Sequence, residues 1–302
     1  GSINLLGEGA DLALQSDTWT YVEGTLNTTG NLRVYGGVEL DGTSTGGANA
    51  IGDSVYVDPT ASLITAEEGT TIDVRGGQDV ILGGLVVAGG ALTESGVDWA
   101  GPDSDVNLYA GEQLDLSTGV LASRNVTIET GTPGADDQDL SFRLQTDGGI
   151  TARGVTSDGS GGEVRILSAG NIEVQGGILS GGTARDDIIT WGEEPSNIFI
   201  EAAGRAWIGG TTVDSNNDPV EVGGRLLASQ RIDVIGGTHP DGAGVRLPGS
   251  AQLVTYRPNS IISIESDQDA IVNSILAAGG EVIQEQDADG KLKGAIVESF
   301  DG

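Results

Sequence analysis

Residues 168–182 read Ser-Ala-Gly-Asn-Ile-Glu-Val-Gln-Gly-Gly-Ile-Leu-Ser-Gly-Gly, and residues 223–237 read Gly-Gly-Arg-Leu-Leu-Ala-Ser-Gln-Arg-Ile-Asp-Val-Ile-Gly-Gly. Each holds a triplet, Ile172-Glu-Val174 or Ile232-Asp-Val234, in which two branched apolar residues flank one acidic residue. Alternation at period two is the mark of a strand with one buried face. A Gly-Gly pair follows each triplet, and glycine supplies positive φ and a bare backbone at a corner. Strand, corner, strand, repeated, is one rung of a solenoid.

The same unit extends in both directions. Triplets recur at Leu12-Ala-Leu14, Leu32-Arg-Val34, Val38-Glu-Leu40, Val55-Tyr-Val57, Ile72-Asp-Val74, Val106-Asn-Leu108 and Leu114-Asp-Leu116. They continue at Val126-Thr-Ile128, Phe142-Arg-Leu144, Val164-Arg-Ile166, Ile198-Phe-Ile200, Ala206-Trp-Ile208 and Ile262-Ser-Ile264. Gly-Gly pairs follow at Gly36, Gly76, Gly176, Gly209 and Gly236, spaced from 27 to 100 residues apart. The repeat is therefore degenerate and carries insertions, and such self-similarity takes precedence over other fold readings. An Ig-like sandwich would need longer strands and large core aromatics. Aromatics are only 4% of this chain. The pattern predicts an all-β parallel β-helix with short loop insertions. At roughly 20–25 residues per rung and about 4.8 Å between rungs, it predicts about 12–15 rungs and a rod about 60–70 Å long. Residues 267–279 read either as a helix capped by Asp267 or as two rungs, Ala270-Ile-Val272 and Ile275-Leu-Ala277; the strand-like neighbours favour the rungs.

Composition narrows the function. The chain has 302 residues, 45 acidic against 14 basic, and a net charge of −31. Phosphate binding runs on Lys and Arg, so this balance argues against nucleic acid. It argues equally against an anionic membrane surface. The longest uncharged apolar run, Val80 to Leu92, is broken by four glycines and is far short of the roughly 20 residues of a spanning helix, so no membrane insertion is expected. With no Cys there are no disulfides, zinc-thiolate sites or thiol chemistry. The chain opens Gly1-Ser2 and contains no Met, which reads as a segment of a longer protein. The expectation is one solenoid segment over residues 1–302, with 281–302 as a C-terminal hairpin or edge region.

The two opening stretches, and Tyr109 to Gly131 read as two further units, resemble the repeats of filamentous-haemagglutinin-like exoproteins. The resemblance spans about Leu32 to Gly280. It implies a right-handed parallel β-helix in a large secreted or surface-displayed bacterial protein, often an adhesin. The family's secretion domain carries Asn-Pro-Asn motifs; here Pro258-Asn259 is preceded by Arg257, so the resemblance implies shaft and not secretion domain. The implied location is extracellular or the bacterial cell surface. The implied partners are a glycan or protein of a host or neighbouring cell, or self-association into a filament.

β-Helices also carry polysaccharide lyases and hydrolases, so catalysis and simple carbohydrate binding are the competing readings. A glycosidase needs two carboxylates about 5–9.5 Å apart. Asp186-Asp187 beside Arg185 is one candidate pair, and a loop turn is its bland alternative. Neither an Asn-Thr-Asp triplet nor a Gly-His-Gly motif accompanies it, and the single His, His239, lies in a turn-like Thr-His-Pro-Asp-Gly. No catalytic residue and no resident cofactor are expected. Calcium wants about 6–8 oxygens. Asp136, Asp137 and Asp139 form the acidic group most able to supply some of them. Glu285, Asp287, Asp289 and Gly290 imitate the start of an EF-hand loop, but Ile296 stands where the bidentate Glu belongs; a hairpin from Val282-Ile283 back to Ala295-Ile296-Val297 accounts for the same residues. The central residue of most triplets is polar, whereas Phe199 and Trp207 occupy it in two, with Trp191 just upstream. These three are the candidate binding or packing patch. Either a neighbouring insertion, 183–197 or 211–219, folds over them, or they stack on a sugar or partner.

Overall fold

The computed structural model describes residues 1–39, 47–48, 52–133, 140–185, 188–213, 217–286 and 292–299, the backbone alone for 185, 280–286 and 292–299. Among them there is no helix. Three long parallel sheets run the length of the molecule, one of ten strands and two of nine. Consecutive strands in the chain visit the three sheets in turn, so the chain winds as a three-faced parallel β-helix. We call the ten-stranded sheet face A, from Ser2–Leu5 to Ile275–Ala278. Face B runs from Leu12–Ser16 to Ile261–Ser266, and face C from Thr20–Val22 to Asp269–Val272. Residues 267–279 form strands and not a helix.

Register explains the triplets. Leu12 pairs with Leu32, Leu32 with Ile72, and the column continues through Val106, Val126, Val164, Ile198 and Ile232. Every residue from Leu32 to Ile232 in that column is fully buried. A second inward column, from Val34 to Val234, is buried just as deeply. The bore is filled by Val, Ile, Leu and Ala, with Phe142 the largest side chain fully enclosed. Parallel stacking places like residues on like, so an apolar choice at one turn favours an apolar choice at the next.

Polar side chains tie the corners. At the start of several face B strands, Asp11 Oδ1 accepts from the Asn31 N–H at 2.6 Å, and Asn31 Oδ1 accepts from the Thr71 N–H at 2.9 Å. Asn125 Oδ1 does the same for Glu163 N–H at 2.8 Å. Between faces A and B, Ser104 Oγ accepts from Thr70 N–H and Ser123 Oγ from Ser104 N–H, while Ser229 Oγ accepts from Ser196 N–H. Ser104, Ser123, Ser196 and Ser229 are fully buried, so these bonds replace lost water. At the corner from face B to face C the chain passes so closely that a Cβ on Gly36 would lie 1.8 Å from the Ser54 carbonyl oxygen.

The turn count corrects the expectation of 12–15 rungs: faces B and C hold nine strands each. The turns vary from 20 residues, Val106 to Val126, to 40, Leu32 to Ile72. The Gly-Gly pairs do not mark a single corner. Gly36, Gly76 and Gly236 end face B strands, Gly177 opens a face A strand, and Gly209 opens a hairpin. Among the described residues four antiparallel hairpins leave the tube: Gly90–Thr93 with Gly96–Trp99, Gly182–Arg185 with Ile188–Trp191, Gly209–Val213 with Pro219–Gly223, and Gly280–Gln286 with Leu292–Ser299. In the last, Val282 pairs with Val297 and Ile283 with Ile296.

Phe142 lies between Leu114 and Ile172 in its column. Phe142→Ala is expected to cost about 3–5 kcal/mol in chemical denaturation, the usual price of emptying an aromatic site in a packed core. A loss under about 1 kcal/mol would mean that the bore is not close-packed.

Candidate functional site

The outward residues of face C form one unbroken row. Tyr21 stands opposite Tyr56, then follow Ile81, Asp115, Arg143, Glu173, Trp207 and Arg246, one per turn. Each is the central residue of an inward-outward-inward triplet, so the backbone pleat alone aims it at solvent.

The first end of the row is aromatic. Tyr21 and Tyr56 stack with ring centres 5.5 Å apart, and Trp19 leans on Tyr21 at 5.9 Å. Trp19 is 42% exposed and Tyr21 46%. The Tyr21 hydroxyl donates to Asp58 Oδ2 at 3.3 Å, and Asp58 in turn accepts from the backbone and hydroxyl of Thr60.

The middle is a charge ladder. Arg143 lies 3.6 Å from Asp115 and 3.6 Å from Glu173. Gln145 donates to Asp115 Oδ1 at 2.7 Å and Gln175 to Glu173 Oε1 at 2.8 Å. Burial raises the Asp115 carboxyl above its ordinary value, against the opposing pull of Gln145 and Arg143. Beside the ladder a groove of about 780 Å³ opens, lined by Arg143, Gln145, Glu173, Gln175 and Trp207, with Thr211 and Thr212 of the neighbouring hairpin on its other side.

Trp207 closes the groove. Its ring has the Arg205 guanidinium at 4.9 Å and that of Arg246 at 5.3 Å. Arg246 is held by Glu221 of the hairpin, and Arg205 by Asp241 at 2.6 Å. The indole is thus clamped by cations that are themselves anchored, and the hairpin supplies one anchor. Among the described residues the Trp207 indole N–H and the Arg205 Nε are buried without a hydrogen-bond partner.

The three aromatics singled out in the sequence are not brought together. Trp191 lies on the hairpin strand Ile188–Trp191 and stacks on Tyr256 at 5.2 Å. Phe199 faces outward on face B beneath the Arg165 guanidinium at 4.4 Å. Trp207 lies on face C. His239 sits in a turn, its Nδ1 2.7 Å from Asp241. Asp136, Asp137, Asp139, Asp186, Asp187, Asp287, Asp289 and Gly290 lie outside the described residues, and the side chain of Glu285 is not described. Among the described residues no three His, Cys, Asp or Glu side chains are grouped to hold a metal.

Sequence reasoning missed the Trp19–Tyr21–Tyr56 cluster. Tyr56 was visible as an aromatic at the outward centre of Val55-Tyr-Val57, but its neighbour across the sheet lies 35 residues earlier. No protein-family model, curated protein or solved structure matches the chain. The class defined by the fold is that of a parallel β-helix, a β-solenoid.

Asp115 gives a test of the ladder. A carboxyl whose folded pKa lies above its unfolded value favours folding while protonated; that contribution is complete below the unfolded value and is lost as pH rises through the folded one. Asp115→Asn is therefore expected to flatten the fall in stability as pH rises from the ordinary carboxyl value of 3.8. Thermal unfolding at stepped pH reads this directly. An unchanged slope would show that Asp115 is not desolvated by its setting.

Proposed function

We propose that this chain is a structural and adhesive shaft segment of a large, secreted or cell-surface bacterial exoprotein of the filamentous-haemagglutinin-like kind. The observation that carries the reading is the uninterrupted stacking of nine turns, with the four described hairpins leaving at corners and the inward columns continuous past them. A tube of this kind presents side chains at fixed intervals along its length, which suits display and spanning. The row on face C is the contact surface in this reading. Its exposed Trp19 and Tyr21 rings, with half-buried Tyr56 stacked beside them, offer apolar faces to a glycan or protein of a neighbouring cell, and the amides and hydroxyls beside Arg143 offer hydrogen bonds to a polyhydroxylated ligand.

The competing reading is a polysaccharide-processing enzyme. Asp115 and Glu173 are the two carboxylates of the ladder, two turns apart, about 9.6 Å between backbones at the usual strand spacing, and of the two only Glu173 lines the groove. Arg143 stands between them and engages both, where an inverting hydrolase would hold water. That arrangement favours a charge-balanced ladder.

Binding to immobilised cell-surface glycans, set beside a depolymerisation assay on acidic and neutral polysaccharides, separates the readings. The expected result is binding that falls at least tenfold, about 1.4 kcal/mol, in Trp19→Ala/Tyr21→Ala, with melting temperature unchanged and no sugar ends released. Release of reducing ends or unsaturated uronates would overturn the proposal. Binding that survives the double substitution would remove the aromatic row from it.

A further inference from the structure

Face A differs from the other two in charge. Its ten strands contain no Asp or Glu and one Arg, Arg225. Face B strands carry seven acidic residues and face C strands five. In a chain of net charge −31 this is a marked segregation. One outward row of face A is largely apolar: after Asn4 and Asn27, Ile64, Val87, Leu121, Leu179, Leu227 and Val254 follow one another, with Thr151 between Leu121 and Leu179.

Three hairpins cover this row at regular intervals. They leave face A after Leu85–Ala88, Gly177–Ser180 and Ile275–Ala278, which are three strands apart in the sheet. Each departure is a small residue followed by Gly-Gly, at Ala88, Ser180 and Ala278, and Gly89, Gly181 and Gly279 all have positive φ. The first strand of each hairpin lies back against the face A strand of the preceding turn. Ile64, Val87 and Leu179 are buried. Leu121 and Leu227, on the strands between hairpins, are half-exposed.

Beside the second hairpin the uncovered strand forms a cleft of about 310 Å³, lined by Thr151, Leu179, Ala184, Ile189, Arg225 and Leu227. On the same hairpin Ile188 stands 68% exposed, and Leu92 on the first hairpin is 40% exposed. A projecting apolar side chain and an apolar cleft thus lie side by side on one surface. That is the requirement for an isologous interface, in which each copy gives the same knob and receives it in the same hole.

We propose that two copies of this chain pair through face A, with Ile188 of each seated in the Leu227 cleft of the other. Charge selects the occupant. The strands of face A bring no carboxylates against one another, although the first hairpin over it carries Glu94 and Asp98, whereas the strands of faces B and C each hold more acidic than basic residues. The hairpin ridges recur every three turns, about 14 Å, on both copies, so several ridges register at once. Carboxylates elsewhere on the rods still repel at long range, so pairing strengthens as salt screens them.

Sedimentation velocity at low and at about 0.5 M salt, with its Debye length of a few Å, tests the pairing. The expected result is a dimer at high salt, weakened at least tenfold by Leu227→Asp and by Ile188→Asp, each with the melting temperature of the wild type because both side chains point outward. Arg143→Glu on face C is expected to leave the dimer intact. A monomer at every salt concentration would overturn the proposal. So would a dimer that survives both face A substitutions, or one abolished by the face C substitution instead.

Discussion

Everything in this molecule depends on parallel strands stacking in register, turn upon turn. Each inward position is held against the same position one turn above and below, so the side chains of the bore form continuous columns. The Leu12 column and its neighbour keep Val, Ile or Leu through every turn. The sequence between strands is under no such restraint. A turn holds 20 or 40 residues without altering the columns, and the described hairpins leave at corners. Lengthening a surface loop is cheap, about 0.6 kcal/mol per doubling. Strict columns and loose corners are two consequences of one constraint.

The same register sorts the surface. Outward residues also form columns, so a charge placed on one turn acts mainly on its neighbours above and below. Face C resolves this by alternation, as in Asp115, Arg143 and Glu173. Face B resolves it locally, with Arg75 bonded to Asp73 and Arg231 to Asp233. Face A avoids charge almost entirely. The proposed glycan contact and the proposed pairing surface therefore use different faces of the same tube, and neither needs the other to move.

The triplets that identified the fold almost all lie on faces B and C, where a polar residue separates two buried ones. Face A strands such as Leu85-Val-Val-Ala88 and Gly119-Val-Leu-Ala122 escaped that pattern because their outward residue is apolar as well. One face in three was thus invisible to alternation; the turn count came out too high for a separate reason, because turns hold 20 to 40 residues and not roughly 20–25. The Gly-Gly pairs misled for a related reason, since glycine is needed at several corners and at each hairpin departure. The candidate aromatic patch failed through register. Phe199 and Trp207 are close in sequence but belong to adjacent faces, whereas Tyr21 and Tyr56, 35 residues apart, stack on each other. Nearness along the chain is a poor guide in a fold where neighbours lie one turn away, and the length of a turn varies twofold.

The distance between remote outward positions in one column tests the winding directly. The chain has no native cysteine, so spin labels at Arg33→Cys and Ser263→Cys would be specific. These positions lie 230 residues apart in sequence and seven turns apart on face B. At the usual strand spacing, a single narrow distance near 34 Å is expected, growing by about 4.8 Å for each turn added between labelled sites. A broad distribution, or distances that follow sequence separation instead of turn number, would contradict the stacked three-faced tube.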